Sequence, residues 1–174
     1  MPAQLKYKET AIVFQEVPDE ISLAINISGC PYHCIGCHSP HLWEDAGTPL
    51  LDMLAELIER HHEYISCVAF MGGDHNLPEL AAALAMVKTY RLKTCLYTGS
   101  DSFPPVPVLK LLDYIKIGPY WEAAGGLTSP TTNQRFFKVE PEALCLTDIT
   151  FKFRKPDAPA TETRKENEND PHSF

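Results

Sequence analysis

Residues 29–38 read GCPYHCIGCH, which sets Cys30, Cys34 and Cys37 at C-x3-C-x2-C spacing with no fourth cysteine nearby. Three thiolates so spaced can wrap one face of a cubane [4Fe-4S] cluster and leave one iron without a protein ligand. Clusters that only transfer electrons are normally held by four cysteines, so a missing ligand implies that a substrate or cofactor binds the metal directly. Two other readings of the same residues stay open here. Cys30, Cys34 and Cys37 with His41 make a Cys3His set for structural zinc, with His33 and His38 as further candidates. With His41 as a fourth cluster ligand, the site would instead be that of a plain electron carrier.

The elements that must position the cysteines follow from the apolar pattern. EISLAINIS, from Glu20 to Ser28, alternates in the manner of a strand that runs directly into the cluster loop. Thr48 reads as a cap and Pro49 as the first-turn residue of a helix whose apolar face is Leu50, Leu54, Leu57 and Ile58, ending near His61. The unit then repeats. ISCVAFM (Ile65–Met71) is a strand-length apolar run closed by Gly72, Gly73 and Asp74, and a helix follows over Pro78–Tyr90 with Asn76 and Glu79 placed as a capping box. LKTCLYT (Leu92–Thr98) ends at Gly99, a short helix is predicted over Val106–Leu112, and DYIKIG (Asp113–Gly118) reads as a fourth strand. RFFKV (Arg135–Val139) and DITFKF (Asp148–Phe153) are weaker strand candidates.

Alternating strands and helices favour parallel pairing with right-handed crossovers. A complete eight-stranded α/β barrel takes about 250 residues, more than the 174 present here. The sequence therefore predicts an α/β fold, either an open doubly wound sheet or an incomplete parallel (β/α) barrel of about six strands. Ligands gather at the carboxyl ends of the strands in both, and the glycine turns and the cysteine loop all fall at that edge. Residues 1–154 are expected to form this one domain. Residues 155–174, KPDAPATETRKENENDPHSF, hold no aliphatic side chain larger than alanine and are expected to be a disordered charged tail.

The bulk numbers narrow the function classes. A formal net charge of -8 with no basic stripe argues against nucleic-acid partners. No segment approaches the roughly 18 uninterrupted apolar residues of a membrane span, and MPAQLKYKET does not read as an export signal, so a cytoplasmic, reducing compartment is expected. Cys67, Cys95 and Cys145 sit in apolar runs and read as buried small residues. His61 and His62 end a helix, where a cation suits the dipole. Trp43 and Tyr120 read as core or rim aromatics, and Asn133 and Gln134 as turn formers before a strand.

The cysteine spacing, in a loop after a strand, resembles the signature of the radical S-adenosylmethionine enzymes, whose open iron is chelated by the cofactor's methionine portion. MGGD (Met71–Asp74) resembles that superfamily's Gly-Gly-acid turn, which hydrogen-bonds the cofactor's amino group. Within the superfamily the chain is most similar to the anaerobic ribonucleoside-triphosphate reductase activating proteins. INISGCPYHCIGCHSPHLW (Ile25–Trp43), LYTG (Leu96–Gly99), DYIKIGPY (Asp113–Tyr120) and SPTTNQRFF (Ser129–Phe137) carry that similarity, which spans about Ala11–Val139. Many superfamily members place an aromatic before the third cysteine; Gly36 stands there, as it often does in reductase activases.

The resemblance implies a radical-SAM-type partial barrel with a [4Fe-4S] cluster on Cys30, Cys34 and Cys37. It implies S-adenosylmethionine held by Gly72, Gly73 and Asp74, with Gly36, Cys37 and His38 as candidates for contact with the adenine. It further implies an oxidoreductase that generates a 5'-deoxyadenosyl radical to take a hydrogen atom from a glycine of the reductase large subunit, fed by a flavodoxin-type or other low-potential reductant. Another glycyl-radical activase or a deazapurine-forming synthase, which share the cluster motif, are the nearest enzymatic rivals.

Overall fold

A computed structural model describes residues 3–155. From residue 156 onward the expected tail lies outside the described residues. The strands are β1 (Lys6–Val13), β2 (Ser22–Ile27), β3 (Thr48–Pro49), β4 (Cys67–Met71), β5 (Lys93–Tyr97), β6 (Tyr114–Ile117), β7 (Arg135–Glu140) and β8 (Cys145–Asp148). The helices are α1 (Leu50–His61), α2 (Leu77–Thr89) and the single turn α3 (Val106–Leu109). All eight strands form one sheet in the order β3-β1-β2-β4-β5-β6-β7-β8.

The parallel part is β2-β4-β5-β6, joined by α1, α2 and α3 in turn. This corrects the expectation of a parallel sheet of about six strands: four strands are parallel and antiparallel pairs flank them, β1 and β3 on one side, β7 and β8 on the other. The sheet does not close into a barrel. Strand β1 had no sequence signal strong enough to be assigned, because KYKETAIV lies near the edge and only partly buries its side chains. The last predicted strand is also corrected. Pairing with β7 uses Cys145–Asp148, and Thr150–Phe153 forms a 3-10 turn whose Ile149 and Phe153 side chains cover the sheet.

Three smaller differences have local causes. Pro49 is the residue before α1 rather than inside it, because Thr48 and Pro49 pair with β1. The capping box of α2 is half formed: Asn76 Oδ1 accepts from Glu79 N–H at 3.4 Å, but the Glu79 carboxylate takes the N–H of Leu5 and the Asn76 side-chain amide, while the Asn76 backbone N–H donates to Gly73 O. The third helix stops at Leu109, three residues short of the expected end.

The two faces of the sheet differ. Leu23, Ile25, Val68, Phe70, Leu96 and Ile115 pack on α1 through Leu54 and Ile58 and on α2 through Leu80, Leu84 and Val87. Side chains four and seven apart put these apolar groups on one stripe of each helix. The opposite face carries Cys67, Ala69, Cys95, Tyr114 and Phe136, covered by Val17, Leu127 and Ile149 from loops. Cys67 and Cys95 are buried as expected, whereas Cys145, on the last strand, is exposed. No helix among the described residues is long and apolar enough to cross a membrane.

Candidate iron-sulfur site

Strand register builds the floor of the site. Asn26, Met71, Tyr97 and Lys116 pair in one row across β2, β4, β5 and β6, on the face away from the helices and at the carboxyl edge. The loop after β2 folds over this row. Cys30 N–H donates to Leu42 O at 3.1 Å, Cys37 N–H to Cys34 O at 3.1 Å, and Ser39 N–H to Cys37 Sγ at 3.3 Å. The curl brings all three thiols to one cavity of about 180 Å³, which Tyr32, Gly72, Gly73, Asp74, Thr98 and Lys116 also line.

The thiols are free and half-buried. Burial pushes the Cys30 thiol above its ordinary range, while backbone N–H groups of Tyr32 and His33 pull it down. Bound metal deprotonates a coordinating thiol outright, so that upward push opposes the free thiolate rather than the ligand.

The turn that closes β4 explains its glycines. Gly72 and Gly73 have φ of +98° and +108°, a region open to residues without a Cβ. Asp74 follows them, and its Oδ2 accepts from the Tyr32 hydroxyl and, at 2.7 Å, from the Thr98 hydroxyl. Tyr32 thereby ties the cysteine loop to the ends of β4 and β5. Its ring lies so close to Gly99 that a Cβ there would stand 2.6 Å from it. Close approach, not unusual dihedrals, is what requires glycine at position 99.

Lys116 is the notable charge. It is 8% exposed, and its Nζ donates to Gly118 O at 2.7 Å and Thr98 O at 3.2 Å. Burial lowers its pKa to about 8, with Cys34, Asp74 and Cys30 pushing it back up.

Of the residues singled out from sequence, Cys30, Cys34, Cys37, Gly72, Gly73 and Asp74 line one cavity. Gly36 and His38 stand outside it: a Cβ at Gly36 would meet the Glu122 side chain at 3.1 Å, and the His38 ring packs on Tyr120 with centroids 5.0 Å apart. Trp43 and Tyr120, read as core or rim aromatics, line the cavity too. Sequence reasoning missed Tyr32, Thr98 and Lys116. Lys116 had a usable signal, an isolated lysine inside the apolar strand YIKI; the other two become visible only when the loop folds over the strand ends.

The donor set fits a cubane better than a single ion. Cys30, Cys34 and Cys37 line one cavity, and the three thiolates of a cubane each bind a different iron. The histidines proposed for zinc are engaged elsewhere. His41 Nε2 lies 2.8 Å from Glu9 Oε1, and His33 stacks on Trp43 at 4.7 Å. Residues 21–117, over half of the chain, match the family model of the 4Fe-4S single cluster domain. The chain belongs to that family. The matched stretch contains the loop of Cys30, Cys34 and Cys37. A comparison with curated proteins found no match.

Proposed function

We propose that this 4Fe-4S domain is a radical S-adenosylmethionine enzyme that activates an anaerobic ribonucleotide reductase. One observation carries the reading: the C-x3-C-x2-C thiols and the Gly72-Gly73-Asp74 turn, more than thirty positions apart in the chain, line the same cavity at the carboxyl edge of parallel strands. The chemistry a bound cluster supplies is one-electron cleavage of the carbon-sulfur bond of S-adenosylmethionine, with a glycine of the reductase large subunit as hydrogen donor.

The chain's own residues bind and orient. Asp74 Oδ2 is taken by Tyr32 and Thr98, and among the described residues no hydrogen bond engages Oδ1, which is left to accept from a ligand ammonium. Gly72 and Gly73 let the backbone approach that ammonium without a side chain in between. Tyr97 and Met71 floor the cavity and exclude water from the reacting bond.

A groove beside the cavity is where a protein substrate would enter. It shares Tyr32, Cys34 and Tyr120 with the cavity and is flanked by the exposed side chains of Ile35 and Trp121. Exposed aromatic and aliphatic groups around a deep opening are the usual anchors of a protein interface. A low-potential donor of flavodoxin type is the proposed electron source.

The test is air-free reconstitution followed by reduction with S-adenosylmethionine present. The expected products are methionine and 5'-deoxyadenosine, with deuterium carried into the latter from a labelled reductase glycine and a glycyl-radical doublet in the paramagnetic resonance spectrum. A reduced cluster that leaves S-adenosylmethionine intact would return the protein to the class of electron carriers.

A further inference from the structure

Lys116 is a buried ammonium without a carboxylate. Two of its three protons go to the carbonyls of Thr98 and Gly118, and the Tyr97 ring centroid lies 5.9 Å from Nζ. Among the described residues it forms no ion pair; Asp74, which lines the same cavity, gives its Oδ2 to two hydroxyls and makes no salt bridge to Nζ. A lone buried charge is strongly unfavourable unless something of opposite sign offsets it. The side chain shares its cavity wall with Cys30, Cys34 and Cys37. An oxidised cubane with three thiolates is already net anionic, and reduction adds one more negative charge.

We propose that Lys116 is the fixed cation of the cluster site and holds the cluster's reduction potential above the value set by the thiolates alone. Net charge around a cluster is one of the levers that set its potential, and a buried cation stabilises the reduced, more negative form over the oxidised one. The couple takes one electron from a low-potential one-electron reductant such as dithionite; no bond forms or breaks. The inference rests on the cluster and not on S-adenosylmethionine, so it stands or falls separately from the activase reading.

The test is a potentiometric titration of the reconstituted full chain, read by the paramagnetic resonance signal of the reduced cluster. Four proteins are compared: wild type, Lys116→Gln, Lys116→Met and Lys116→Arg. Glutamine keeps an N–H for one carbonyl, methionine keeps length without polarity, and arginine keeps the charge. Both neutral variants are expected to titrate at a more negative midpoint, and Lys116→Arg close to wild type. The signal arises only from loaded chains, so partial loss of cluster does not alter the midpoint read. Unchanged midpoints in both neutral variants, or an equal shift in Lys116→Arg, would overturn the proposal.

Discussion

The two ends of the parallel strands each bury one charge, and they treat it differently. At the amino end Glu20 is saturated: Oε1 accepts from the Tyr114 hydroxyl at 2.8 Å and from the Lys93 ammonium, and Oε2 from the Ser66 hydroxyl at 2.6 Å. These partners stand at the starts of β6, β5 and β4, so one carboxylate ties the beginnings of all four parallel strands together. At the carboxyl end Lys116 has only carbonyls. A buried charge whose partners all come from the fold serves the fold; one left short of a counter-charge is held for a guest.

The sharpest way to break that contrast is to remove a thiol. Cys30→Ala, Cys34→Ala and Cys37→Ala are each expected to bring iron per chain to background after air-free reconstitution, while Cys95→Ala and Glu20→Gln keep the wild-type content. An amino-end variant that lost iron equally would erase the distinction between the two ends.

Next in size is the Glu20 clasp. Glu20→Ala strands three donors and should lower stability by about 3 kcal/mol, at the upper end for a lost buried partner, measured by urea unfolding. Burial alone would raise the Glu20 pKa, but hydrogen bonds from Lys93, Ser66 and Tyr114 hold it below the ordinary carboxylate range. A depressed folded pKa means stability that is fully present above the unfolded value and lost as pH falls through the folded one. Unfolding midpoints of the wild type should therefore drop more steeply in acid than those of Glu20→Gln, and parallel curves would remove Glu20 from the account.

Gly99→Ala probes the other end. Its new methyl would meet the Tyr32 ring at 2.6 Å, an overpacking worth about 1–2 kcal/mol, and displacement of Tyr32 should loosen the cysteine loop enough to speed chelator-driven iron loss. Tyr32→Phe removes only the hydroxyl that Asp74 accepts from, so its expected cost is about 1 kcal/mol, with slower iron loss than in Gly99→Ala. The smallest effect belongs to Cys145, exposed at the far edge from the site. Cys145→Ala should change stability by less than about 0.5 kcal/mol, and alkylation of the native apoprotein should modify Cys145 while sparing the buried Cys67 and Cys95.

Much of the site was legible before any coordinates. Cys30, Cys34 and Cys37 fall within eight positions and are marked by local spacing, while the Gly72-Gly73-Asp74 turn closes an apolar run and is marked by its resemblance to the superfamily's turn; all six line the cavity. The four parallel strands were legible too, β2 from its alternation and the other three from apolar runs of the kind that strands buried on both faces show. Strand β1 was not, because its partners are β2 on one side and only two residues of β3 on the other, and a half-exposed strand lacks that signature. The strand predicted over Asp148–Phe153 failed in the opposite way: Ile149 and Phe153 cap the sheet from a 3-10 turn instead of joining it, and Phe151 is exposed.

By itself the sequence determined which residues can ligate metal, because ligand identity and loop spacing are properties of a few adjacent positions. Tertiary structure alone decided what surrounds them. Tyr32 reaching Asp74, Lys116 sharing a cavity with the thiols, and Glu20 gathering the starts of three other strands all depend on register between segments tens of residues apart. Register is fixed by which face of each strand is buried, and that is settled only when the helices and covering loops have packed.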